Sequence, residues 1–75
     1  MRETIELHNN TIVYNYNNDE LISVELHVPL GVGKGLTKEV EAEIMARVPD
    51  DRYLSETGLK SQGLVIIREW KCLSE

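Results

Sequence analysis

The sequence predicts an α+β domain of two layers. A three-stranded antiparallel meander and a C-terminal strand form a sheet, one helix packs on it, and the order is β-β-β-α-β. Three observations carry this: three runs of alternating apolar and polar residues before position 29, a four-residue apolar spacing at Val40, Ile44 and Val48, and a β-branched run after Gly63. The 75 residues make one domain, 1–75. A chain this short buries only about 60% of its unfolded surface, so it has room for one core.

Thr4-Ile5-Glu6-Leu7-His8 and Thr11-Ile12-Val13-Tyr14-Asn15-Tyr16 flank Asn9-Asn10, and Asn tolerates the positive φ that two-residue hairpin turns need. With Asn9-Asn10 as the loop, Leu7 faces Ile12 and Ile5 faces Tyr14, which gathers every large apolar residue except Val13 on one face. The third run, Leu21 to Val28, places Ile22, Val24, Leu26 and Val28 on that face if the connection has odd length. A three-residue loop Asn17-Asn18-Asp19 then pairs Tyr14 with Ile22 and Ile12 with Val24. A two-residue loop would turn Ser23 into the core instead.

Pro29 to Gly35 holds three glycines and reads as a flexible loop. Thr37 is the expected N-cap of a helix from Lys38 to Val48, which Pro49 stops. Asp50 to Gly63 reads as a connection, with turn signals at Gly58 and Gly63 and a short helical turn at Tyr53 to Glu56. Leu64 to Leu73 is the last strand, continuous and apolar at first and alternating later, as expected where one end is buried on both faces. Trp70 and Tyr14 are assigned to the core.

Thirteen acidic residues against eight basic ones give a net charge of −5, which argues against direct nucleic-acid binding. The lone Cys72 cannot close an internal disulfide, and no apolar run reaches the length of a membrane span, so the expected location is the cytoplasm. The charge is unevenly spread: residues 1–28 and 39–51 each carry −4, while 29–38 carry +2 and 52–75 carry +1.

Gly31, Gly33, Lys34, Gly35, Thr37 and Lys38 follow a strand and open a helix, the setting of a phosphate-binding loop. The motif itself is missing. A P-loop wants glycine where Val28 stands and serine or threonine where Gly35 stands, so nucleotide hydrolysis is excluded and only an anion-friendly corner survives. His8 and His27 both fall opposite the apolar set, where Glu6 and Glu25 share their surface. Their spacing is too loose for a metal site, and no metal or other cofactor is expected. Cys72 reads as core or edge filler, and no glycine-framed elbow surrounds Ser23, so no catalytic residue is assigned.

Glu39, Glu41, Glu43, Asp50 and Asp51 crowd the helix and the turn after it, with Tyr53 as an aromatic anchor. An ordinary solvated helix face accounts for them. The sharper reading is a docking surface for a basic groove, since complementary potentials steer association. The expected function is therefore a non-enzymatic protein-binding module, by analogy with small acidic phage-encoded or mobile-element inhibitors of host defence. A partner protein with a basic surface is expected, without membrane binding, and an edge strand is open to pairing in a homodimer. The alternatives are an oligomeric sponge for an anionic nucleotide, using the Gly31 to Thr37 loop, and a structural assembly subunit.

Overall fold

A computed structural model describes residues 1–75. Five strands and one helix follow in the order β1 (Arg2–Leu7), β2 (Asn10–Asn17), β3 (Glu20–Pro29), α1 (Lys38–Met45), β4 (Arg52–Gln62) and β5 (Val65–Ser74). All pairings are antiparallel, and the strands lie in the order β1-β2-β3-β5-β4. The domain is thus richer in sheet than expected. The predicted connection 50–63, with its helical turn at Tyr53 to Glu56, is in fact the eleven-residue edge strand β4.

Both hairpins of the meander differ from expectation in register while keeping their faces. The first turn is His8-Asn9, both with positive φ, so Ile5 pairs with Ile12 and Leu7 with Asn10. Moving the turn one residue upstream shifts the pairing by two, and parity survives because side chains alternate with period two. The second turn is Asn18-Asp19, a two-residue loop rather than three. A bulge at Ile22 restores the parity that this loop would have lost: Tyr16 pairs with Leu21, yet Tyr14 pairs with Val24 and Ile12 with Leu26. Leu21 and Ile22 therefore exchange roles, Leu21 entering the core and Ile22 standing 42% exposed.

The helix begins as expected. Thr37 is extended, and its hydroxyl accepts from the Val40 amide at 3.2 Å. It ends at Met45 rather than Val48, in a tighter turn in which the Arg47 amide donates to the Ile44 carbonyl and Val48 to Met45. Val48 still reaches the core. Val40, Ile44 and Val48 pack on Ile12, Tyr14, Leu21, Val24, Leu26 and Cys72, so the helix lies over β2, β3 and the near side of β5. The Tyr14 hydroxyl donates to the Glu43 carbonyl at 3.4 Å, and burial, helped by the Glu43 charge, pushes its pKa up to about 12. Arg47 lies over the Tyr14 ring at 4.6 Å and pairs with Glu3 and Glu43, fastening the end of the helix to β1 and β2. No helix is long and apolar enough to cross a membrane.

The Pro29 to Thr37 loop is fixed to the sheet, contrary to the flexible loop expected. Asn10, fully buried, donates through Nδ2 to the Gly35 carbonyl at 2.8 Å and accepts through Oδ1 from the Gly35 amide at 3.1 Å. Gly35 has φ of +74°, a conformation glycine adopts without penalty. The Lys34 amide donates to the His8 carbonyl, and the Gly33 amide to Pro29. Gly33 is needed for space: a Cβ there would stand 2.7 Å from Asn10 Oδ1 and 2.8 Å from Val28 Cγ1.

Candidate functional site

An α-helix with its side chains is about 10 Å wide and strands lie about 4.8 Å apart, so one helix shields two or three strands. The sheet here has five. Its helix-side surface over β4 and the outer part of β5 is left uncovered, and an open groove runs there between Leu36, Glu41, Ile44 and Met45 on one side and Leu54 and Trp70 on the other. Met45 is half exposed and Leu59, further along β4, is 67% exposed. Trp70 was expected in the core. It packs against the core yet is only partly buried, with one side lining the groove.

The acidic residues do not form one patch. Residues four apart share a helix flank, so Glu39 and Glu43 face the β1–β2 side, where Arg47 engages Glu43 at 3.6 Å. Glu41 is on the other flank and lines the groove. Asp50 and Asp51 are exposed in the turn before β4. Tyr53 neighbours the groove residue Leu54 along the strand, so it lies on the opposite face of the sheet, where it is 43% exposed beside its pairing partner Leu73. Glu39, Glu41, Asp50 and Asp51 are absent from the chain's ion pairs, which join Glu3, Glu20, Glu25, Glu43, Glu56 and Glu69 to Arg, Lys or His27.

Around the predicted anion loop, the amides of Gly33, Lys34, Gly35, Thr37 and Val40 all donate within the chain. Gly31, Lys34 and Lys38 are exposed at its rim. These five donors are spent on the fold.

No protein-family model, curated protein or solved structure matches this chain.

The face of the sheet opposite the helix buries Val13 and Ile67 and carries its own hydrogen-bonded polar network. Asn15 Nδ2 donates to Ser23 Oγ at 3.0 Å and to Glu25 Oε2 at 2.9 Å, and His27 Nε2 donates to Glu25 Oε1 at 2.9 Å. His8 does not join it, contrary to expectation. It lies in the first turn, and its Nδ1 is 3.0 Å from Thr37 Oγ1, so the two histidines serve different parts of the fold. Neither Ser23 nor Cys72 has a histidine beside it. Burial pushes the Cys72 thiol above its usual range, against the lowering effect of Arg52.

Burial alone would raise the Glu25 pKa, but the hydrogen bonds from Asn15 and His27, with the charges of His27 and Arg2, overcome this and hold it below its ordinary 4.5. A carboxylate lowered in the folded state stabilises the fold above its unfolded pKa, and this contribution is lost as pH falls through the folded value. Urea midpoints should accordingly fall more steeply below about pH 4.5 in the parent chain than in Glu25→Gln. Parallel pH profiles for the two chains would contradict this role for the network.

Proposed function

We propose that the chain is a small non-enzymatic protein-binding module. Its acidic helix and the turn after it dock on a basic surface of a partner protein, a surface of the kind that otherwise holds nucleic acid. Inhibitors encoded by phages and mobile elements work in this way, and the finer assignment to that class rests on this analogy. The observation that carries the reading is the set Glu39, Glu41, Asp50 and Asp51, four exposed acids without an ion-pair partner within thirteen residues of sequence; of the other nine acids six are engaged, and the unpaired Glu6, Asp19 and Glu75 lie on other elements. Unpaired charges keep their field available for steering a partner of opposite sign. Glu43 contributes less, because Arg47 neutralises it, and Tyr53 serves a contact only where the partner wraps the sheet edge.

Reversing Glu39, Glu41, Asp50 and Asp51 to lysine should weaken partner capture at low salt by roughly tenfold or more, since each lost pair is worth a few tenths of a kcal/mol and each new repulsion a similar amount. The partners retained by the parent chain should be displaced by added duplex DNA. Unchanged capture by the reversed chain would defeat the proposal. All four positions are solvent-facing, so the variant keeps its core intact.

A further inference from the structure

The edges of the sheet are unequal. β1 is six residues long, and its own Ile5 and Leu7 already pack on the core. β4 is eleven residues long, and the uncovered groove runs directly alongside its first half. Edge strands usually guard themselves with outward charges, Pro or bulges. A bulge at Thr57 does interrupt β4, but it leaves Arg52 to Glu56 as an unbroken segment.

The two charged side chains of that segment are both tied back over the sheet. Arg52 reaches inward, with Nη1 3.2 Å from Glu20 Oε2 and Nη2 donating to the Cys72 carbonyl at 2.7 Å, and its side chain is only 14% exposed. Glu56 is held by Arg68, Nε at 2.9 Å and Nη2 at 3.1 Å, and Arg68 in turn lies over the Trp70 ring. The outer backbone of Arg52 to Glu56 is left without a charged guard. The charges that do remain free around the groove are negative: Glu41 in its wall, and Asp50 and Asp51 where the strand begins.

We propose that this half of β4 is an acceptor edge, along which a partner adds an extended segment with alternate apolar residues and flanking Lys or Arg. This rests on the reading of the chain as a protein-binding module and specifies where and how the partner is gripped. The added strand extends the sheet by backbone hydrogen bonds, as in other strand-addition complexes. Its alternate apolar side chains enter the groove against Leu36, Met45, Leu54 and Trp70, and its basic ends meet Glu41, Asp50 and Asp51. A helix laid in the groove would leave the unpaired amides and carbonyls of β4 unanswered, which is why the occupant is extended.

Trp70 is the only tryptophan, so its fluorescence reports directly on the groove. The probe is the nonapeptide Lys-Lys-Val-Thr-Val-Thr-Val-Lys-Lys, titrated onto the full chain and followed by Trp70 emission and by amide NMR shifts. Saturable binding is expected, with shifts centred on Leu54 to Glu56. Replacing the terminal lysines of the peptide by glutamate, or N-methylating alternate residues along one edge of it, should each weaken binding at least tenfold. Met45→Lys, at a half-exposed groove position, should do the same. Equal binding of the N-methylated peptide, or shifts confined to the Glu39 and Glu43 flank, would overturn strand addition while leaving the basic-partner reading in place. Absence of binding up to millimolar peptide would overturn it as well, and the charge-reversed chain then decides the broader reading separately.

Discussion

Asn10→Ala should destabilise the fold by about 2–4 kcal/mol, the loss of two hydrogen bonds plus the cost of leaving the Gly35 amide without a partner, the Gly35 carbonyl keeping only the Thr37 amide. For a domain of this size that is a fall in Tm of roughly 10 °C or more. The carboxamide of Asn10 supplies one donor and one acceptor to the same residue. The effect also reaches the helix, because the loop that Asn10 holds leads directly into the Thr37 cap and meets His8 on the way. Thermal unfolding checks it: a Tm within about 3 °C of the parent would mean that water satisfies Gly35 in place of Asn10.

Gly33→Ala should be comparably damaging for a different reason. The added methyl would overlap Asn10 Oδ1, Val28 Cγ1 and, at 2.9 Å, Pro29 Cδ. Overpacking of this kind typically costs about 1–3 kcal/mol. Relief is hardest where the neighbours are pinned, and here one is a ring and another is the Asn10 carboxamide already bonded to Gly35. Moving Asn10 aside breaks the same two hydrogen bonds that Asn10→Ala removes, so the two substitutions act on one structure. Combined, they should cost clearly less than the sum of the separate losses. Additive losses would show that the methyl is accommodated by Val28 and the backbone alone.

Much of the architecture is legible in the residues, and the parts that are not have identifiable causes. Alternation fixes which face each residue takes, and it placed Ile12, Tyr14, Val24 and Leu26 in the core whatever the turn. It does not fix the register itself: the first turn lies at His8-Asn9 because Asn10 is drawn inside by Gly35, twenty-five positions away. The parity argument for the second connection holds, but the chain meets it with a bulge at Ile22 rather than a longer loop. β4 is hidden because an exposed edge strand has little apolar pattern to show. Only Tyr53, Leu54 and Leu59 stand out in Arg52–Gln62, and the bulge at Thr57 breaks even that phase. The groove is hidden with it, since its floor exists only when Leu54 and Trp70 stand side by side. The acidic cluster is legible as composition and misleading as geometry: Glu41 parts from Glu39 and Glu43 across the helix, and Tyr53 takes the other face of the sheet.

The strand order also bears on how the chain comes to be folded. β1, β2 and β3 are joined by tight turns, and so are β4 and β5, so each group closes over short loops at little entropic cost. The two groups meet along a single seam, the ladder from Ser23–Lys71 to Pro29–Val65, extended by the Leu30 amide donating to the Leu64 carbonyl. Closing that seam spans the whole helical connection and is the longest-range closure in the sheet. The helix stitches the same seam from above: Val40 and Ile44 share one buried cluster with residues of β2 and β3 and with Cys72 of β5. A chain cut in the turn between Met45 and Arg52 would consequently yield two fragments, each with its local pairings complete, which have only this seam to find.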